Sequence, residues 1–187
     1  MKKNNNIILL LLGIFLLIAI AIVSVKILDQ EKVSEPLSPK QNFVLESING
    51  KKFNLKTDTK KIIIEGMENK IVFLKVFGWD CKFCMKEVPE LIKLKESLSD
   101  KFAVLAIEAQ NNSKNLSLNN IKKYGINYPI ILGENQEKFY RYLQEQYGWT
   151  GIIPLTIVIS TKGDILAFEL GQKSYSLSEL FKASVEK

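Results

Sequence analysis

The 187-residue chain carries 26 Lys and Arg against 20 Asp and Glu, a net charge of +6, yet Arg141 is its single Arg and no basic block is interleaved with aromatics. A nucleic-acid surface is therefore not expected. There is no His, which removes the usual general base, and the two Cys would need two carboxylates to complete a tetrahedral metal site, so neither metal nor cofactor is expected.

Lys2 and Lys3 precede an uncharged run from Ile7 to Val25. As a helix it would span about 28 Å, close to the roughly 30 Å hydrocarbon core of a bilayer. Cleaved signal peptides have shorter apolar stretches, so residues 1–28 are expected to form an uncleaved signal anchor with membrane contact through residues 7–25. The two lysines favour a cytoplasmic amino terminus, with the remainder on the extracytoplasmic or periplasmic side. Residues 29–40, charged and holding Pro36 and Pro39, read as a linker. Residues 41–187 are left for one domain.

Two alternating runs flank Asn49-Gly50, a dipeptide suited to a tight hairpin because both residues tolerate positive φ. Residues 61–66 and 70–78 read as strands, the second apolar enough to be buried on both faces. Helical spacing runs from Cys84 to Leu98 and encloses Pro89, which should bend it. A buried strand is expected over 102–109, a helix from a Ser117 cap to Gly125, and a short strand over 126–132. A helix ending at Gly148 follows, then strands over 154–160 and 164–170 joined at Lys162-Gly163. Ser176 and Glu179 match a capping box for a last helix over 177–186. This alternation predicts an α/β domain with a mixed central sheet flanked by helices.

Both cysteines, Cys81 and Cys84, lie in "GWDCKFCMKEVPE". Met85 occupies the place of the His needed for covalent haem attachment. A two-residue spacer closes a loop too short for a disulfide to constrain the unfolded chain much. A strand ending at Phe77, a turn through Gly78, Trp79 and Asp80, and a helix opening at the cysteines put Cys81 at a helix amino terminus. Unpaired N–H groups and the macrodipole there favour a thiolate. A redox pair is the expectation, with Cys81 exposed and nucleophilic and Cys84 buried and resolving. Lys82 adds positive charge beside it and Asp80 opposes.

The pattern Cys-x-x-Cys-x-x-Glu-x-Pro stands at Cys81, Cys84, Glu87 and Pro89. About seventy residues later "YGWTGIIPLTIVISTKG" is similar to a Tyr-Gly-Val-x-Gly-x-Pro-Thr-Thr-Phe-Leu-Ile-Asp-x-x-Gly stretch. On these motifs residues 41–187 resemble the thioredoxin superfamily, specifically the membrane-anchored TlpA/ResA/CcmG-like extracytoplasmic thioredoxins. The resemblance implies a thioredoxin-like fold with an amino-terminal β-hairpin extension and a redox-active Cys81–Cys84 disulfide. It implies a cis Pro154 facing that pair, with the Ile153 backbone pairing with extended substrate. It implies protein thiol and disulfide substrates, a membrane electron donor, and reduction of exported proteins, whether in cytochrome c maturation or generally. Disulfide introduction or isomerisation by the same fold, and Cu(I) handling by the two thiolates, are the alternatives.

The chain departs from the family at several points. Asp80, preceded by Trp79, stands where the family has Trp before the first Cys, and Phe77-Gly78 replaces Trp-Ala. The spacer is Lys82-Phe83, and one residue is inserted between Gly151 and Pro154. By resemblance Glu87 is a proton relay or substrate contact; a surface helix Glu is the plain alternative. Lys75 occupies a position where thioredoxins bury an Asp. Two placements are open to it: facing the dithiol, where it would stabilise a thiolate and lose basicity, or at a strand edge with its amine in water.

Overall fold

The computed structural model describes residues 12–18 and 36–185. The chain divides into two compact units, Met1–Pro36 and Leu37–Lys187. In the first, residues 12–18 are helical (α1); the rest of the expected anchor, 7–25, lies outside the described residues. Among the described residues no helix is long and apolar enough to cross a membrane.

In the second unit, β4 (Ile71–Phe77) and β5 (Phe102–Glu108) are buried at every position. Strands this apolar need cover on both faces, and they form the middle of a five-stranded sheet. Its order is β6-β5-β4-β7-β8, with β6 at Ile130–Leu132, β7 at Leu155–Ile159 and β8 at Ile165–Leu170. β4, β5 and β6 are parallel, while β7 runs antiparallel to β4 and β8 to β7. The expected mixed sheet is thus present. Strand β6 is shorter than the run 126–132, because Ile126 N–H closes the end of α3 on the Ile121 carbonyl and Pro129 has no N–H for a ladder.

Side-chain parity along the central strands assigns the two faces. Val72, Leu74 and Val76 of β4, with Leu155 and Ile157 of β7, enter a core shared with Phe43, Leu45, Phe53, Leu55, Ile62 and Phe139. These belong to β1 (Asn42–Glu46), β2 (Lys52–Asp58), β3 (Lys61–Ile64) and helix α4 (Glu137–Tyr147). On the other face Ile71, Phe73 and Phe77 of β4 and Val158 of β7 pack with Cys84, Leu91, Leu94, Leu180 and Phe181, from α2 (Lys82–Ser97) and α5 (Leu177–Val185). Helix α3 (Lys114–Tyr124) reaches the same core through Ile121.

The amino-terminal extension is larger than a hairpin. β3 pairs with β2, so β1-β2-β3 is a three-stranded antiparallel sheet. The turn around Asn49-Gly50 is also longer than the two-residue form. Ser47 N–H bonds to the Lys51 carbonyl and Gly50 N–H to Ser47, and only Gly50 of the dipeptide has positive φ. The longer loop buries Ile48, whose N–H donates to the Ile130 carbonyl, and so ties the small sheet to β6.

The cap of α3 is Ser113, whose Oγ accepts from Leu116 N–H; Ser117, the expected cap, is fully buried one turn inside the helix. Helices α3 and α4 end at Gly125 and Gly148 in the left-handed conformation, as expected. The Ser176–Glu179 capping box forms, with Ser176 N–H on Glu179 Oε2 at 2.8 Å and Glu179 N–H on Ser176 Oγ at 3.1 Å. Residues 37–40, assigned to the linker, are held on the domain. Leu37 bonds to the Glu145 and Gln146 side chains, and the Pro39 carbonyl accepts from Thr57 and Tyr142.

Candidate active site

Cys81 is the N-cap of α2, with extended φ and ψ, and its Sγ accepts the Cys84 N–H at 3.1 Å. The two cysteines form a disulfide, Cα–Cα 5.2 Å. Cys84 is 2 % exposed, whereas Cys81 is only partly buried. The sulfur reachable from solvent is therefore the one at the helix terminus, where orphan N–H groups favour its anion.

The turn before it is fastened at two points. Trp79 turns into the core, its ring against Phe77 at 4.9 Å and stacked on Tyr124 at 6.3 Å, and its Nε1–H donates to Ser117 Oγ at 3.0 Å. Asp80 is exposed, but its backbone N–H donates to Gln110 Oε1. Gln110 is held in turn by Glu108, a fully buried carboxylate that accepts from the N–H groups of Gln110 and Asn112. A Cβ on residue 78 would meet the Gln110 side chain that holds the Asp80 N–H, so glycine allows this close approach. Lys82 is exposed. Phe83 is 40 % exposed, with Lys86 Nζ 5.5 Å over its ring. The spacer thus presents an apolar and cationic rim to solvent.

The Ile153–Pro154 peptide bond is cis. Pro154 is buried. Ile153 is half-buried and packs against both cores, including the one that takes Cys84 and Cys81. The loop before Pro154 is pinned by Trp149 Nε1–H on the Ile152 carbonyl at 2.9 Å.

Lys75 is not at a strand edge with its amine in water. It sits in central strand β4 and is 2 % exposed, its Nζ 2.5 Å from Glu87 Oε2 and 2.5 Å from Thr156 Oγ1, its register partner on β7. Glu87 is likewise no surface residue: its other oxygen accepts from Lys173 Nζ at 2.8 Å. Both ion pairs are almost wholly removed from water. Burial lowers the Lys75 pKa from 10.5 to about 8; Glu87 opposes the fall and Lys173 adds to it. Glu90, one turn on, accepts the Leu177 N–H at 2.8 Å.

Of the residues singled out by sequence, Cys81, Cys84, Trp79, Asp80, Lys82 and Phe83 share the β4–α2 junction, and Glu87 and Lys75 meet beneath it. Reading the sequence missed Lys173, Gln110 and Glu108, and gave Ser117 only a capping role. Glu108 carried a signal, a charge closing an apolar strand; Lys173 sits in a connector with no pattern. Among the described residues no three His, Cys, Asp or Glu side chains converge on a cation site.

A profile of the AhpC/TSA family matches residues 42–168. The chain is 26 % identical over 181 residues to the thiol-disulfide oxidoreductase ResA of Bacillus subtilis, covering 95 % of this chain and 92 % of that protein. Among solved structures, a putative thioredoxin from Neisseria meningitidis superposes with TM-score 0.62 at 18 % identity, over 80 % of this chain and 91 % of that one. StoA from Bacillus subtilis superposes with TM-score 0.56 at 20 % identity, over 79 % and 98 %. The fold is thioredoxin-like α/β.

Proposed function

We propose, since this chain belongs to the AhpC/TSA family, that it is a thiol–disulfide oxidoreductase working on protein substrates outside the cytoplasm. The observation that carries this is the Cys81–Cys84 disulfide at the start of α2, one sulfur accessible and the other buried. In the reduced protein the Cys81 thiolate attacks a substrate disulfide. A mixed disulfide forms and one substrate thiolate leaves. Cys84 gives up its proton and attacks Cys81 Sγ, which closes the internal disulfide and releases the second substrate thiolate. A membrane electron donor then returns two electrons to the pair. The exposed Phe83 and Ile152 and the Ile153 backbone before the cis proline supply the surface for an extended substrate segment.

The uncharged run 7–25 behind Lys2 and Lys3 supports a single-pass tether in the cytoplasmic membrane with the catalytic domain on the extracytoplasmic side. In that compartment the substrates are exported proteins, apocytochromes among them. A second reading, net disulfide introduction, is favoured by one feature: two lysine ammonium groups share the carboxylate of Glu87, one helical turn after Cys84, and positive charge stabilises the thiolate form of the pair.

The Cys84→Ser variant, expressed in cells and trapped with acid, should retain mixed disulfides through Cys81 that vanish in Cys81→Ser. Reduced wild type should also cleave the interchain disulfides of insulin. Absence of both trapping and turnover rules out the oxidoreductase reading. Protection of the domain from an impermeant maleimide in intact cells, with labelling only after lysis, rules out the extracytoplasmic placement.

A further inference from the structure

If Cys81 and Cys84 exchange with thiols, as proposed above, they do so one helical turn from a buried charge. Lys75 stands between Phe73 and Phe77 on the α2 face of β4, and both phenylalanines pack in the core that contains Cys84. Glu87 follows Cys84 by three residues on the same helix, a spacing that puts side chains one above the other with Cβ atoms about 5–6 Å apart. Lys75 Nζ touches one oxygen of Glu87 and Lys173 Nζ the other. Glu90, the other acid acting on Lys75, is engaged by the Leu177 N–H. Tyr128, the phenol facing Glu87, is kept neutral by burial and by that carboxylate. Thr156 accepts from Lys75 without charge. The group Lys75–Glu87–Lys173 therefore carries one positive charge in excess, one helical turn from a disulfide that has none.

We propose that Lys75, held by Glu87 and Lys173, is a redox-linked proton site: reduction of the Cys81–Cys84 disulfide draws a proton onto Lys75, and protonated Lys75 in turn favours the dithiol. In the disulfide state burial and Lys173 make the ammonium easy to lose, at a pKa of about 8. A thiolate in the reduced pair supplies the missing negative charge, so the ammonium holds its proton to higher pH. Linkage makes the effect reciprocal. Above pH 8 glutathione serves as the reductant. Two glutathione thiols supply two electrons, their sulfurs join and the Cys81–Cys84 bond breaks. Of their two protons, one goes to Cys84 and the other to the Lys75 amine, while Cys81 remains a thiolate. A cleft of about 130 Å³ lined by Phe83, Lys86, Glu87, Glu90, Lys173 and Tyr175 gives protons a way to the cluster from solvent. Lys75 acts here through the field it exerts on the sulfurs, and Glu87 and Lys173 are positioning residues.

The test is the equilibrium of the full chain, in detergent micelles, with reduced and oxidised glutathione between pH 7 and 10, for wild type, Lys75→Met and Lys173→Met. Ratios between proteins at each pH cancel the titration of glutathione. At pH 7.5 the wild type should be reduced more readily than Lys75→Met by about tenfold, which corresponds to one pKa unit of coupling. That advantage should fade through pH 8 to 10 as Lys75 loses its proton. In Lys173→Met the fade should move to higher pH, because Lys173 no longer pushes the Lys75 proton off. If Lys75→Met fails to fold, the ratio of wild type to Lys173→Met must still vary with pH. Ratios that are flat across the range overturn the linkage and leave the oxidoreductase standing. Failure of the wild-type disulfide to exchange with glutathone at any pH overturns both.

Discussion

A lysine in the middle of a central strand is costly to charge, and Lys75 shows how the cost is met. Desolvation penalises its ammonium, and Glu87 returns part of that through a direct ion pair. Losing one partner of such a pair strands a buried charge, whereas replacing both partners with apolar side chains of similar volume removes the penalty as well. The Lys75 pKa is about 8 in the folded disulfide form against 10.5 when free. Between those values the unfolded chain binds more protons, so this group makes folding less favourable below pH 8 and relaxes that opposition as pH rises. Wild-type stability, measured by denaturant titration, should therefore rise by about 2 kcal/mol between pH 8 and 10 relative to Lys75→Met. Parallel pH profiles for the two proteins would show that the folded-state pKa is not depressed.

At the scale of elements, the β4–α2 turn is rigid because it is bolted to two neighbours. Trp79 reaches α3 through Ser117, and Asp80 reaches the end of β5 through Gln110 and Glu108. Both partners of the first bond are buried, so removing one leaves the other unsatisfied, which costs about 1–3 kcal/mol. Trp79→Phe and Ser117→Ala should each destabilise by about that much, and their double mutant by clearly less than the sum. Additive losses in the double-mutant cycle would mean that the indole–hydroxyl bond contributes nothing. Serine at 113 and at 117 shows why local pattern misled here. Both residues suit an N-cap, and only burial of the second under Trp79 separates them.

Across the whole domain, two sheets act as one body because they share a core. The inner faces of β1, β2 and β3 supply six side chains to the same core as β4 and β7, and the loop between β1 and β2 bonds to β6 through Ile48. Ile48→Ala removes a buried side chain at that junction and should cost about 2–5 kcal/mol. Far-UV and tryptophan signals should still lose structure in one transition, since no separate core exists for the small sheet. Two resolved transitions would show that the extension folds independently.

Much was readable along the chain: the buried strands, the alternation that makes a mixed sheet, the capping box at Ser176, and the helix that opens at Cys81. These depend on periodicity and on chemistry within a few residues, which a linear reading contains. The dithiol was identifiable because its two sulfurs and its helix terminus are neighbours in sequence. What decided the environment of that dithiol was the pairing of distant segments. β7 brings Thr156 to Lys75, 81 residues away, and the connector after β8 brings Lys173 to Glu87, 86 residues away. Whether a lysine on a strand meets water or a carboxylate depends on strand order and face, and those follow from packing two cores against one sheet. For that reason residues 78–90 announced the chemistry, and only the folded chain revealed the buried cluster of Lys75, Glu87 and Lys173.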